Sequence, residues 1–245
     1  MKTLTGLYTA LALLRFKALR LKIRPCPACG PSVIVRFGEN GLAVRCMRCG
    51  ASAIHLSILA VLKTMVPNLK EKHIYELSSR GPLFEYLKRE SKTLTYSEHI
   101  DNVPYGKFLN GVQCQNIEQL TYNDENFDIC TSTEVFEHVA CDQAGFREIY
   151  RVLKPGGIFI FTVPLTKCNE TVERAVLENG MIRHILPPEY HGDRLRGQNK
   201  VLVFRDYGLD ITERLQSSGF KRTEIVTPEN LLLWNYERDV IVGWK

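Results

Sequence analysis

The 245-residue chain lacks any apolar run near the ~20 residues of a membrane-spanning helix, so it reads as a protein without an integral helical span. It lacks the bias of disordered or fibrous chains as well: 44% of its residues are hydrophobic and 24% charged, ordinary globular values. It is too long for a secreted disulfide scaffold, although it has eight cysteines. Four of these sit in two tight pairs, while Cys114, Cys130, Cys141 and Cys168 are scattered singly. That pattern suits a reducing compartment, a cytoplasmic location and one metal site. The length fits one full-sized domain plus a small module.

Charge is unevenly spread. Residues 1–50 sum to +8 and the remainder to −3, giving +5 overall. A basic head on a mildly acidic body suits an anionic partner at the head. Within it, Leu4, Leu7, Tyr8, Leu11 and Leu14 recur at helical spacing and lead into Arg15, Lys17, Arg20, Lys22 and Arg24. Lys2 is the only leading charge, and most of the basic residues follow the apolar stretch, the reverse of a cleavable leader. The segment 1–24 reads as a basic amphipathic helix. It packs its leucine face on its own protein, lies on an anionic membrane as a peripheral contact, or is a frayed tail.

Cys26-Pro27-Ala28-Cys29-Gly30 is followed sixteen residues later by Cys46-Met47-Arg48-Cys49-Gly50. Two C-x2-C pairs at this spacing fit a tetrahedral four-thiolate Zn2+ site, so residues 25–53 read as a zinc ribbon with ligands Cys26, Cys29, Cys46 and Cys49. Between the pairs, Asn40-Gly41 is a favoured hairpin turn. A thioredoxin-like redox pair would need a strand–helix–strand context that is absent here. The ribbon serves either as a structural staple or, through Arg36, Arg45 and Arg48, in nucleic-acid or substrate recognition. Phe37 is its one aromatic for stacking on bases, which favours the staple. Ile54 to Val66, ended by Pro67, reads as the helix of a connector over 54–71; His55 is not counted as a ligand, because four thiolates already complete the site.

From residue 72 strands alternate with helices: His73–Leu77, Thr93–Glu98, Val112–Gln115, Phe127–Thr133 and Ile158–Val163 read as strands, and Pro82–Arg89 and Gln143–Leu153 as helices. This pattern predicts an α/β fold with a parallel sheet covered on both faces and ligands bound outside the carboxyl ends of the strands. The stretch FDICTSTEVFEHV, a helix, LKPGGIFIFTVPL and later YGLDITERLQSSGF together resemble a class I S-adenosylmethionine-dependent methyltransferase of the type 11 kind, across residues 72–245. The resemblance implies a Rossmann-like, doubly wound methyltransferase sheet, with the small zinc ribbon in front of it.

It also implies site residues. The first strand ends in Glu76, and the turn Ser78-Ser79-Arg80-Gly81-Pro82 stands where the family has a glycine-rich loop. Its three glycine positions are Ser78, Arg80 and Pro82 here, and Gly81 lies one place off register. Arg80 in that loop either collides with the cofactor or swings out and binds its carboxylate. Glu98, 22 residues after Glu76, takes the place of the acid that holds the ribose hydroxyls; its bland reading is a solvated loop acid. Asn116 falls at the adenine edge with Ile117 on the ring, and Thr133, Glu134 and His138 follow the fourth strand. His138 is a general base or a group that orients the loop. An insertion over 164–204 carries His184, Glu189, His191, Asp193, Arg194 and Arg196 as a polar loop or a substrate lid, with His191 its catalytic candidate.

The leading function is therefore methyl transfer from S-adenosyl-L-methionine to an oxygen of a small molecule or glycan precursor. The alternatives are an RNA methyltransferase, supported by the basic head but lacking interleaved aromatics, and a non-catalytic scaffold that has lost its cofactor loop.

Overall fold

The structure is a computed structural model that describes residues 19–39, 41–193, 197–231 and 233–245. Most of the segment expected as an N-terminal helix lies outside the described residues. The last part of it is not helical. Residues 20–24 belong to β1 (Arg20–Cys26), which pairs antiparallel with β2 (Gly30–Arg36), and β2 pairs with β3 (Val44–Cys46). β2 and β3 are joined over residues 37–43, a longer connection than a two-residue hairpin turn, which includes a 3-10 turn over Gly41–Ala43; Asn40 lies outside the described residues.

Helix α1 (Ala53–Met65) follows, with buried residues around most of its circumference. The reason lies in its two neighbours. On one side it meets Ile34, Val44 and Cys46 of the ribbon; on the other it meets Ile74, Ile129, Ile160 and Val242 of the main sheet, and all share one apolar cluster. The helix expected as a connector is the mortar of this core, and the ribbon has no separate core of its own. Each large apolar side chain fully buried here is worth about 1.5–3 kcal/mol.

The main sheet is built from β4 (His73–Glu76), β5 (Thr93–Glu98), β6 (Phe108–Leu109), β7 (Val112–Cys114), β8 (Phe127–Thr133), β9 (Leu153–Thr162), β16 (Arg222–Val226) and β17 (Val240–Trp244). Its order is β16-β17-β9-β8-β4-β5-β7-β6. The centre is parallel, as expected, but β17 runs antiparallel to β9 and β16, and β6 antiparallel to β7, so the sheet is mixed. Helix α2 (Gly81–Glu90) joins α1 on one face. Helices α3 (Asp142–Val152) and α4 (Ile211–Gln216) cover the other, over a cluster that includes Phe136, Phe146, Phe159 and Phe161. The Pro155-Gly156-Gly157 step lies inside β9, and position 157 needs glycine there, because a Cβ would sit 2.8 Å from the Lys154 carbonyl oxygen.

The strand order reverses at β4, which has β5 on one side and β8 on the other. A crevice outside the carboxyl ends of these strands is where such a sheet binds ligands. The insertion after β9 is not an irregular polar loop. It folds as β10 (Val172–Glu173), β11 (Ala175–Glu178), β12 (Met181–His184), β13 (Tyr190–Asp193), β14 (Gly197–Leu202) and β15 (Arg205–Asp206), in three antiparallel pairs. Among the described residues no helix is long and apolar enough to cross a membrane.

Candidate active site and metal centre

The four ribbon cysteines bring their sulfurs within 4.8 Å of one another. Cys26 and Cys49 lie 3.7 Å apart, and Cys29 and Cys46 3.6 Å apart. A tetrahedral ion with ~2.3 Å metal–sulfur bonds sets sulfurs about 3.8 Å apart, so the donor set fits that geometry. Backbone amides of Ala28 and Cys29 point at Cys26, and those of Arg48 and Cys49 at Cys46. Burial pushes the thiols of Cys26 and Cys49 up, the latter to about 11. Cys46 is also pushed up by burial, but hydrogen bonds from Ser32 and those two amides overcome it and bring the thiol down to about 6. Three cations cap the first knuckle from outside: Lys63 donates to the Pro27 carbonyl at 3.2 Å, Arg89 to Ala28 at 2.8 Å and Arg48 to Cys29 at 2.8 Å. Their charge complements that of the thiolates. Lys63 and Arg89 carry no local sign of this role, because they lie on α1 and α2.

At the carboxyl end of β4, Glu76 is buried and accepts a hydrogen bond from the Thr131 hydroxyl. Burial, reinforced by the nearby Glu98 charge and opposed by the Thr131 bond, raises its carboxyl to about 8. The turn that follows closes on Glu98 at the end of β5. Oε1 of Glu98 accepts the Ser79 amide at 2.9 Å and the Ser79 hydroxyl at 2.8 Å, with Ser78 Oγ at 3.4 Å. Arg80 adds Nε at 3.3 Å and Nη2 at 3.2 Å to the same oxygen. Gly81 takes φ +90°, a backbone angle only glycine adopts without strain, and starts α2 with Pro82 behind it. Ser78, Ser79, Gly81 and Glu98, named from the sequence, thus come together, and Arg80 sits on the acid assigned to the ribose. Asn116 uses its Oδ1 to accept the Glu118 amide at 3.0 Å, which shapes its turn, and Ile117 packs beside Gly145 of α3.

A second group gathers where β8 ends. Thr133 is its last residue, and Glu134 takes φ +52°, unusual for a residue with a Cβ and a recurrent feature of functional turns. Arg238, from just before β17, donates to Glu134 Oε2 at 2.6 Å. Glu137 is buried, and burial, with the adjacent Glu134 charge, pushes its carboxyl well above the usual range. Neither oxygen of Glu137 has a hydrogen-bond partner among the described residues; nor do Glu134 Oε1, Ser132 Oγ, Thr162 Oγ1 and Arg238 Nε. His138 Nδ1 donates to the Leu202 carbonyl at 2.8 Å, which makes Nε2 the proton-accepting nitrogen of the neutral ring. That Nε2 lies 3.7 Å from Glu137, and the His191 ring stands edge-on at 5.0 Å. The two histidines named from the sequence, 53 positions apart, therefore meet. With Glu137 they place one ligand atom each within 4.8 Å, a set able to hold a divalent cation. Arg194 and Arg196 lie outside the described residues.

The residues that hold this end together were not legible beforehand. Arg205 is buried and donates to the carbonyls of Val139 at 2.6 Å and Ala140 at 2.8 Å, and to Glu173 at 3.0 Å. Buried Asp142 accepts from Arg214 at 2.9 Å and Tyr207 at 3.0 Å. Through Glu173, the Arg205 bonds tie the insertion to the turn that carries Glu137 and His138. A lone arginine in a sequence carries no sign that it will be buried.

Residues 84–161 match the profile of a family described as a methyltransferase domain. Over 103 residues the chain is 34% identical to a ubiquinone biosynthesis O-methyltransferase of Coxiella burnetii, covering 38% of this chain and 44% of that protein. It is 31% identical over 93 residues to a sarcosine/dimethylglycine N-methyltransferase of Halorhodospira halochloris, covering 37% and 33%. The chain thus spans less than half the length of these curated relatives. An S-adenosylmethionine-dependent methyltransferase of Mesorhizobium loti superposes with a TM-score of 0.50 at 16% identity, covering 77% of this chain and 98% of that one. The fold is the Rossmann-like fold of S-adenosylmethionine-dependent methyltransferases, and the matched segment runs from α2 through β9, the part of the sheet that carries Glu98, Glu137 and His138.

Proposed function

We propose that the chain is an S-adenosylmethionine-dependent methyltransferase acting at an oxygen of a small molecule or glycan precursor. The observation that carries this reading is Glu98, a mostly buried carboxylate at the carboxyl end of β5, facing the β4 turn at the switch point of the sheet. There it can accept both ribose hydroxyls, with Asn116 and Ile117 beside the base. When bound, the cofactor supplies an electrophilic methyl group on a sulfonium. The chain's part is to hold the reactants in line, which accounts for much of the rate of such a displacement. His138 Nε2 takes the acceptor's proton, oriented by the Leu202 carbonyl. An oxygen acceptor is favoured by the Coxiella burnetii relative's name and by the presence of a base, which an oxygen nucleophile needs near neutral pH.

Zn2+ in the four-cysteine cluster belongs to the same proposal, as a staple. The arginines that could have read nucleic acid are occupied: Arg48 caps Cys29, Arg45 donates to the Val44 carbonyl, and Arg36 lies over the rings of Trp234 and Tyr236.

The test is transfer of isotopically labelled methyl to a panel of phenolic, catecholic and sugar hydroxyls. His138→Gln is expected to lose about 10²–10⁴-fold in turnover while still binding S-adenosylhomocysteine. Labelling of RNA alone, or unchanged turnover in His138→Gln, would contradict the reading.

A further inference from the structure

We propose that Arg80 is the receptor for the carboxylate at the amino-acid end of the S-adenosyl ligand, and that the Arg80–Glu98 ion pair is a lock this ligand opens. The inference rests on the cofactor reading above and concerns how this loop, without the usual glycines, performs that task.

Glu98 Oε1 is oversubscribed. A carboxylate oxygen offers about two lone-pair sites, and the Ser79 amide and hydroxyl, at 2.9 and 2.8 Å, fill them. The guanidinium arrives third, at 3.2 and 3.3 Å, with both nitrogens on one oxygen rather than in the two-oxygen fork that such pairs prefer. Its side chain is 33% exposed, so it has room to move, whereas that of Glu98 is 16% exposed. Arg80 also stands at the start of α2, a ten-residue helix whose first amides and dipole favour an anion. His55 of α1 reaches the same place: a Cβ on Gly81 would sit 3.5 Å from its Nε2.

A ligand with a cis-diol needs Glu98 as the acceptor of its two hydroxyls, and these displace the loosely held guanidinium. The released cation then needs another anion close to α2. An S-adenosyl ligand brings one, its α-carboxylate; a nucleoside thioether without the amino-acid end does not. Where a glycine-rich loop lets backbone approach the ligand, this loop substitutes a charge, and it becomes selective for nucleosides with an anionic tail.

The experiment compares S-adenosylhomocysteine with 5′-methylthioadenosine by calorimetric titration into the metal-replete full chain. The wild-type chain is expected to favour S-adenosylhomocysteine by about 10- to 100-fold, the range for a charge-assisted contact. In Arg80→Met that preference falls close to one through loss of S-adenosylhomocysteine affinity, while 5′-methylthioadenosine binds as before or tighter, and Arg80→Lys keeps part of the preference. Circular dichroism checks the fold of each variant. Binding of S-adenosylhomocysteine without discrimination in the wild type overturns the Arg80 assignment and leaves the cofactor reading standing. An equal gain for both ligands in Arg80→Met makes Arg80 a plug and overturns it likewise. No binding of either ligand to the folded wild-type chain overturns both.

Discussion

The four thiols of the ribbon and the carboxylates at the strand ends are both crowds of like acids, and the molecule settles them by different means. In the ribbon, sulfurs 3.6–3.7 Å apart are met by knuckle amides and by three cations on the first knuckle's carbonyls, an arrangement with the spacing to hold one central cation. At the strand ends each acid has its own answer. Glu98 and Glu134 pair with Arg80 and Arg238, while Glu76 and Glu137 are buried with raised proton affinity. The first cluster is set by spacing along the chain. The second is assembled by topology and keeps unlike carboxyl states side by side, which binding and proton transfer both need.

Stripping the metal with a strong chelator should break this comparison with the largest effect. The ribbon shares its core with α1 and the sheet, so the melting temperature is expected to fall by more than ~10 °C. Emission from Trp234 should change with it, because Lys22 and Arg36 of the ribbon lie over that ring. Unchanged melting and emission would mean that the thiols hold no structural ion. Next, Arg205→Met removes the buried cation that ties the insertion to the His138 turn. A loss of about 3–5 kcal/mol by urea unfolding is expected, and one below about 1 kcal/mol would contradict its role.

Glu76→Gln gives a smaller, pH-dependent effect. The folded carboxyl titrates near 8, above its unfolded value, so its contribution is complete below about pH 4.5 and is lost as pH rises through 8. The amide keeps the Thr131 bond and cannot ionise. Glu76→Gln should therefore match the wild type in acid and exceed it by about 5 kcal/mol above pH 8, read as urea midpoints across pH. Parallel profiles would count against a protonated Glu76. Smallest is Ser32→Ala, which removes the hydroxyl 3.0 Å from Cys46 Sγ. It should cost about 1 kcal/mol and slow alkylation of Cys46 in the metal-free chain at pH 6–7.

How much of this was legible follows from the range of the interactions. The cysteine spacing and the alternation from His73 to Thr162 are local patterns, and most of those elements lie within two residues of where periodicity puts them. β1 stands where a helical tail is expected because Leu21 and Ile23, its apolar residues, face outward at 62% and 89% exposure, and a run of basic residues resembles such a tail. The insertion hairpins pair short strands with no strong alternation. The pairs that define the site, Glu134 with Arg238 and His138 with His191, join positions 104 and 53 apart, and only the fold brings them together. Arg80 stands out in the sequence as a departure from the glycine-rich loop of the family the chain resembles, and its contact with Glu98 gives that departure a physical form.

The most direct test of the central claim is calorimetric titration of S-adenosylhomocysteine into the metal-replete chain and into Glu98→Ala. Low-micromolar or tighter binding, weakened at least about 10-fold by the substitution, is the predicted result. No heat at several temperatures from a chain whose circular dichroism shows an intact fold would contradict it and leave a methyltransferase fold that has given up its cofactor.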